Sequence, residues 1–263
     1  MVGGGPFKLK AGEWTDDTSM ALCLAESLVE SNGFDPLDQM RRYVKWLDDG
    51  YLSSNGKCFD IGGTTHDALS RFKRTGNPFS GSIHAQSAGN GCIMRLASVP
   101  MFFYPDQKAT ISMCGESSRT THGAPECIEA SQLFGAMLFM ALGGNDKDDI
   151  LFGHGMSKFS SSGIQAIAKG EYCIKSESEI FGVGYVVQGL EAALWCFYNT
   201  DNFRDAILKA ANLGEDADTT AAICGQIAGA FYGESSIPKE WKDQIVMRDV
   251  ILKLADRLLQ EGI

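Results

Sequence analysis

The chain has 263 residues, 44% of them hydrophobic, and a formal net charge of −10, which suits one domain with a sizeable core. So acidic a chain excludes the basic groove of a nucleic-acid binder and the cationic face of a protein that sits on anionic membrane. The longest strongly apolar run, LFGAMLFMAL at 133–142, is too short to cross a bilayer.

In chain order, the first predicted element follows GEWTDDTSM at 12–20. Ala21, Leu24, Ala25 and Leu28 recur at i, i+3, i+4 and i+7, the period of a helix with one buried face. The Gly-, Ser- and Thr-rich section from Leu52 to Gly91 reads as loops, with short helices such as 65–73 between them. Cys127 to Leu142 is apolar nearly all round, which predicts a helix buried at the centre of the molecule. Two amphipathic helices show in Leu190, Ala193, Leu194, Phe197 and in Phe203, Ala206, Ile207, Ala210. Next comes NLGEDADTTAAICGQIAGAFYG at 212–233, and then an amphipathic tail from Trp241 to Leu259. No run alternates in the manner of a strand, and no Pro- or Ser-rich linker divides the chain. The expectation is all-α, one compact many-helix domain over 1–263. The eight cysteines are scattered without a C-x-x-C pair and read as free thiols of a cytoplasmic protein. A monomer is expected.

Two stretches concentrate chemistry. Thr15, Asp16, Asp17 and Thr18 enter the first helix, and Glu215, Asp216, Asp218 and Thr219 enter the helix after 212. Carboxylates are comfortable at a helix start, where N–H groups are free and the dipole is positive, so Asp17 and Asp218 are open to reading as caps. Capping needs one side chain, however, and two or three compete at each end. Both clusters combine Asp with Thr and hold no His or Cys. An all-oxygen set selects hard cations, Mg²⁺ or Mn²⁺, over zinc. If the two helix mouths meet, Thr15, Asp16, Asp17, Asp216, Asp218 and Thr219 are a ligand set for a pair of ions. Gly225, Gly229 and Gly233, with Ala222 and Ala230, form a small-residue stripe expected to let a neighbouring helix close in and fix the mouths at that distance.

WTDDTSM at 14–20, FDIGGTTHDAL at 59–69, SAGNGCIMRLASVP at 87–100, TTHGAPECIEA at 120–130 and NLGEDADTTAAICGQIAGAFYG run in order over nearly the whole chain. Together they resemble the ADP-ribosylglycohydrolase family, which includes dinitrogenase reductase-activating glycohydrolases and ADP-ribosyl-acceptor hydrolases. The resemblance implies an all-α fold with two Mg²⁺ or Mn²⁺ ions and hydrolysis of the bond joining ADP-ribose C1″ to an acceptor. It puts the metal ligands on Thr15, Asp16, Asp17, Asp216, Asp218 and Thr219. Within that set Asp17 and Asp216 are expected in the catalytic role, with Asp17, a carboxylate beside the ions, taking the proton. Asn90 and Gly91 become neighbours of bound ADP-ribose, and Ser87 falls at a position that varies between Ser and Asp. Gly62 and Gly63 would bring bare backbone N–H groups to the pyrophosphate. His122, just before an expected helix start, would reach ribose or phosphate. Met94 and Arg95 are expected to shape their loop, and Tyr185 is a candidate for the adenosine end.

Hydrolysis at C1″ passes through an oxocarbenium-like state. The implied partner is an ADP-ribosylated protein, most readily at arginine, whose cation suits an acidic rim, or a small ADP-ribose conjugate. A catalytically silent, crystallin-like relative and an ADP-ribose-binding module without turnover remain open. Family members usually carry an upstream G-D-A-L-G-x-P-x-E segment whose glutamate serves the second ion. This chain opens at MVGGGPFKLKAGEWTDDT, so it reads as shortened at its N-terminus. One ion is then expected to bind firmly and the second loosely, unless Glu13 replaces the glutamate.

Overall fold

The computed structural model describes residues 1–262, and among them the architecture is helical throughout, with isolated bridges and no sheet. The helices are α1 (Asp16–Glu30), α2 (Pro36–Asp49), α3 (Gly63–Thr75), α4 (Ser98–Phe103), α5 (Gln107–Thr121), α6 (Pro125–Leu142) and α7 (Lys147–Phe152). They continue with α8 (Ser162–Ala168), α9 (Val186–Tyr198), α10 (Phe203–Asn212), α11 (Ala217–Tyr232), α12 (Lys239–Lys242) and α13 (Arg248–Glu261). The expected tail helix from Trp241 is thus two elements. Met247 takes φ 52°, and the chain turns there before α13 begins.

Helix α6 is the central element. Pro125 at its start has no N–H to lose and a φ already suited to a helix. Leu133, Phe134, Ala136 and Met137 are all fully buried, each large one worth about 1.5–3 kcal/mol relative to exposure. It packs among α4, α5, α7, α8, α9 and α11. The approach of α5 is close enough to demand a glycine: a Cβ on Gly135 would clash with Cys114 Sγ. The cysteines are free, six of them buried.

The small-residue stripe works differently from expectation. A Cβ on Gly225 would meet Ile207 Cδ1 at 3.4 Å and one on Gly229 would meet Phe203 Cε2 at 3.9 Å, ordinary contacts with α10. Gly233, at φ 78°, ends the helix. The stripe seats α10, and a different side chain of α11 locks the site. Gln226 donates to Ile93 O at 2.9 Å and Met94 O at 2.8 Å, and accepts from Ala97 N–H at 2.7 Å. That amide fastens the 90–97 segment to α11.

Candidate active site

Three helix N-termini, those of α1, α3 and α11, open on one cavity of about 340 Å³. Asp16, Asp60, Asp216, Asp218 and Thr219 form its acidic wall. Gly62 to Thr65, Gly89 to Gly91, Met94, His122 and Gly184 form the rest. No lysine or arginine lines it.

The acidic wall is not a set of helix caps. The N-cap positions belong to Thr15 and Asp216, and neither makes a side-chain capping bond. Asp17 and Asp218 each sit two residues past the cap, in the first turn of α1 and α11. Asp216 is held from outside its helix: Asn90 Nδ2 donates to its Oδ2 at 2.6 Å, and its own N–H donates to Gly182 O at 2.8 Å. Burial raises the Asp216 carboxyl, while the bonds from Asn90 and Thr219 favour its ionised form. Burial, then the neighbouring charges of Asp17, Asp60 and Asp218, push Asp16 up. Asp17 is also raised by burial, with Asp218 and Asp216 adding to the effect. These carboxylates are too crowded to ionise together comfortably in the absence of a cation.

The arrangement fits hard divalent cations. Every donor is oxygen, each charge is destabilised by the others, and buried Asp17 Oδ1 has no hydrogen-bond partner. Thr15 Oγ1 occupies the other oxygen, donating to Asp17 Oδ2 at 2.8 Å. Among the described residues no three acidic, histidine or cysteine side chains converge on a single point, so threonine hydroxyls and water would have to complete the coordination of an ion held there.

Of the residues expected from sequence, the cavity wall gathers Asp16, Gly62, Gly63, Asn90, Gly91, His122, Asp216, Asp218 and Thr219. Thr15, Asp17 and Ser87 are not part of that wall. Asp17 lies 4% exposed behind that wall, close enough to Asp218 and Asp216 for their charges to raise it, so of the two aspartates expected in the catalytic role Asp216 is the one that lines the cavity. Ser87 turns its hydroxyl to His84 O at 2.7 Å and offers only its carbonyl, to Thr64 Oγ1 at 3.3 Å. Glu13 accepts from Lys10 N–H at 2.8 Å and lines a separate surface cleft rather than this one. Tyr185 lies across an isolated bridge from Gly89 and donates to Glu126 Oε2 at 2.7 Å.

Asp60 is the residue that sequence reasoning passed over. It takes φ 60°, a left-handed conformation that Asp tolerates better than most residues, and it faces the acidic wall from the loop before α3. Burial and the charge of Asp218 raise its carboxyl to about 6. The available signal was an aspartate two residues ahead of a Gly-Gly pair that opens a helix.

A family model for ADP-ribosylglycohydrolase matches residues 1–263. The chain belongs to the ADP-ribosylglycohydrolase family. It is 45% identical over 258 residues to a protein of Serratia proteamaculans named ADP-ribosylarginine hydrolase Tri1, covering 98% of this chain and 70% of that one. A Pseudomonas putida protein of the same name is 46% identical, covering 100% of this chain and 70% of its own length. The ADP-ribosyl-[dinitrogen reductase] glycohydrolase of Rhodospirillum rubrum is 28% identical over 94% of this chain and 79% of its own length. Among solved structures, a chain from an ADP-ribosylglycohydrolase-related protein complex superposes with TM-score 0.85 at 37% identity, covering 100% of this chain and 87% of that one. The glycohydrolase family's fold is therefore the fold described above.

Proposed function

We propose that this chain hydrolyses the glycosidic bond between ADP-ribose C1″ and an arginine side chain of an ADP-ribosylated protein, using two Mg²⁺ or Mn²⁺ ions. The single observation that carries the reading is the cavity itself: a wall of four aspartates facing a wall of glycine, Asn90 and neutral His122. Identity to two proteins named ADP-ribosylarginine hydrolase supports arginine as the acceptor. Among the described residues no helix is long and apolar enough to cross a membrane, and the free cysteines support a cytoplasmic setting.

Asp16, Asp216, Asp218 and Thr219 would hold the ions from the cavity side, with Thr15 and Asp17 behind them. Bound there, hard divalent cations supply orientation for ribose hydroxyls and a lowered pKa for water. Gly62 and Gly63 open α3 with N–H groups that its helix leaves unpaired, and these are donors for the pyrophosphate. Fixing the pyrophosphate positions C1″ against the aspartates. Asp216 is the proton acceptor: it faces the cavity, and the Asn90 amide fixes its orientation and favours its ionised form. The incoming water gives its oxygen to C1″ and one proton to Asp216, while the C1″–N electron pair leaves with the guanidine. The acidic wall favours the cation that the leaving guanidine becomes on protonation.

The test is incubation of the full chain with defined ADP-ribose linkages, with Mg²⁺ and in excess EDTA. Release of ADP-ribose from the arginine linkage with Mg²⁺, and none in EDTA, is expected. Equal turnover in EDTA overturns the metal assignment. Retention of ADP-ribose without release of arginine makes the chain a binding module, and neither binding nor release makes it a silent relative.

A further inference from the structure

Among the described residues one arginine is fully buried. Arg95 is 0% exposed and has no carboxylate partner among the described residues. Its guanidinium stacks 4.6 Å from the centre of the Tyr43 ring on α2, points Nη1 at Met20 Sδ of α1 at 3.6 Å, and donates from Nη2 to Thr121 Oγ1 at 2.6 Å. Thr121, at the end of α5, is also 0% exposed, and its Oγ1 lies 2.8 Å from His122 Nδ1. We propose that Arg95 and Thr121 form a buried relay that fixes His122 as one neutral tautomer, with its proton on Nε2 and directed into the cavity. This rests on reading the cavity as an ADP-ribose site. Arg95 and Thr121 are positioning residues, since neither lines the cavity.

The proton directions follow from what each group is able to do. A guanidinium has donors and no acceptor, so the Arg95–Thr121 bond uses a lone pair of the threonine oxygen. The threonine proton must then go elsewhere, and His122 Nδ1 is the remaining partner that Thr121 Oγ1 touches. Were Nδ1 to carry the proton instead, the threonine would accept twice and its own buried proton would be stranded, which is costly. Nδ1 therefore accepts, and a neutral ring with an accepting Nδ1 is protonated at Nε2. Burial, reinforced by the Arg95 charge, holds the ring neutral by lowering it to about 3.

Nε2 has no hydrogen-bond partner within the described residues, although His122 is only 2% exposed. Its edge faces the cavity between two glycines: a Cβ would stand 3.2 Å from Nε2 if built on Gly91 and 3.3 Å if built on Gly89. The ring's backbone is fixed as well. His122 N–H donates to Ser118 O at 2.7 Å, and Ser118 Oγ donates to His122 O at 2.9 Å. A rigid, neutral, unpaired N–H at the edge of an uncharged wall is a donor for a ligand oxygen, either a ribose hydroxyl or a phosphate. The relay makes it a donor at every pH near neutrality.

The test is nitrogen-15 NMR of the full chain labelled at histidine, with His122→Gln used to assign the ring. The ligand-free parent should show Nε2 protonated and Nδ1 bare, with no titration between about pH 5 and 8. Thr121→Val should move a measurable share of the proton to Nδ1 and weaken ADP-ribose binding about tenfold, equal to about 1.4 kcal/mol. Thr121→Ser should restore both. Arg95→Met should shift the tautomer in the same direction, because the threonine oxygen is then free to accept from Nδ1. A parent ring protonated at Nδ1 overturns the relay, as does Thr121→Val with parental tautomer and affinity. Because the tautomer is read without ligand, an Nε2–H ring in a parent that binds no ADP-ribose upholds the relay and overturns the functional reading instead.

Discussion

The two walls of the cavity are built from opposite materials. On one side the mouths of α1 and α11, with Asp60, bring four carboxylates together. On the other, Gly62 to Thr65, Gly89 to Gly91 and His122 present N–H groups, an amide and a neutral ring, with no formal charge. A wall of uncharged donors recognises an anion without attracting indiscriminate ones, whereas a wall of carboxylates alone would repel the same anion. Under the proposed function, cations standing between the aspartates and the ligand would let the two walls serve one ligand. The contrast thus argues for metal more strongly than either wall taken separately. Asn90 belongs to both walls, since its amide lines the cavity and holds Asp216.

The largest expected effect comes from dismantling the acidic wall. Asp216→Ala removes a cavity-facing carboxylate, the proposed proton acceptor and the partner of Asn90 together. Turnover of ADP-ribosylated arginine should fall at least ~100-fold, the scale on which lost electrostatic stabilisation of a transition state is felt. Steady-state release of ADP-ribose with saturating Mg²⁺ measures it. Activity within about tenfold of the parent would move the acceptor role to Asp16 or Asp218.

The same crowding should be visible in stability. A carboxylate raised in the folded state binds its proton more tightly there than in the unfolded chain. Its stabilising contribution is full below the unfolded value of 3.8 and is lost as pH rises through the folded value, about 6 for Asp60. Asp16, Asp17 and Asp216 are shifted in the same direction. Metal-free protein should therefore be penalised progressively as pH rises toward neutrality, and Mg²⁺ should relieve the penalty. The difference in Tm with and without Mg²⁺ should grow from about pH 5 to pH 7.5. Taking the difference cancels His122, whose lowered value acts in the opposite sense by costing stability as pH falls below 6.5. A Mg²⁺ increment that stays flat or shrinks over that range contradicts the picture of an ion-neutralised aspartate cluster.

Much of this was legible before the structure, for identifiable reasons. Helices announce themselves by period, and the faces led by Ala21, Leu190 and Phe203 all lie in helices. The two Asp/Thr clusters were legible because chemistry had compressed them into a few residues. What escaped notice was direction. Asp16 and Asp17 are adjacent, yet a helix turns successive side chains by about 100°, so Asp16 lines the cavity while Asp17 sits behind its wall, beside the charges of Asp218 and Asp216. The glycine stripe was readable as close packing but carried no label for its partner, which is α10 rather than α1. Asp60 and Ser87 depend on loop geometry. Neither a left-handed φ at Asp60 nor a hydroxyl turned to His84 has a periodic signature.

A smaller effect is expected at the residue the walls share. Asn90→Ala removes the 2.6 Å donor to Asp216 and the amide that faces ligand. Losing the amide that faces ligand should weaken ADP-ribose by about tenfold, about 1.4 kcal/mol. The loss should also raise the Asp216 carboxyl further, because the Asn90 bond favours its ionised form, and so move the acid limb of the pH–rate profile upward. Calorimetry and the profile report separate halves of the role. Weaker binding with an unmoved acid limb would assign Asn90 to the neutral wall alone.

The smallest effect is expected at Ser87, and it sharpens the boundary of the neutral wall. Its sequence neighbourhood, SAGNG, places it beside residues that do face the cavity, and a ligand contact was the natural expectation there. The structure turns the side chain away: Oγ donates to His84 O within its own turn, and the carbonyl alone meets Thr64 Oγ1. Ser87→Ala keeps that carbonyl and loses one partly exposed hydrogen bond, so ADP-ribose affinity should stay within about twofold of the parent. Ser87→Asp is the stronger probe, because it adds a carboxylate close to the neutral wall without removing any donor from it. If the wall works by being uncharged, Ser87→Asp should weaken ADP-ribose more than Ser87→Ala does, and the excess should shrink as salt screens the added charge. A loss of about tenfold in Ser87→Ala itself would instead mean that the turn at 84–87 reopens on binding and delivers the hydroxyl to the ligand.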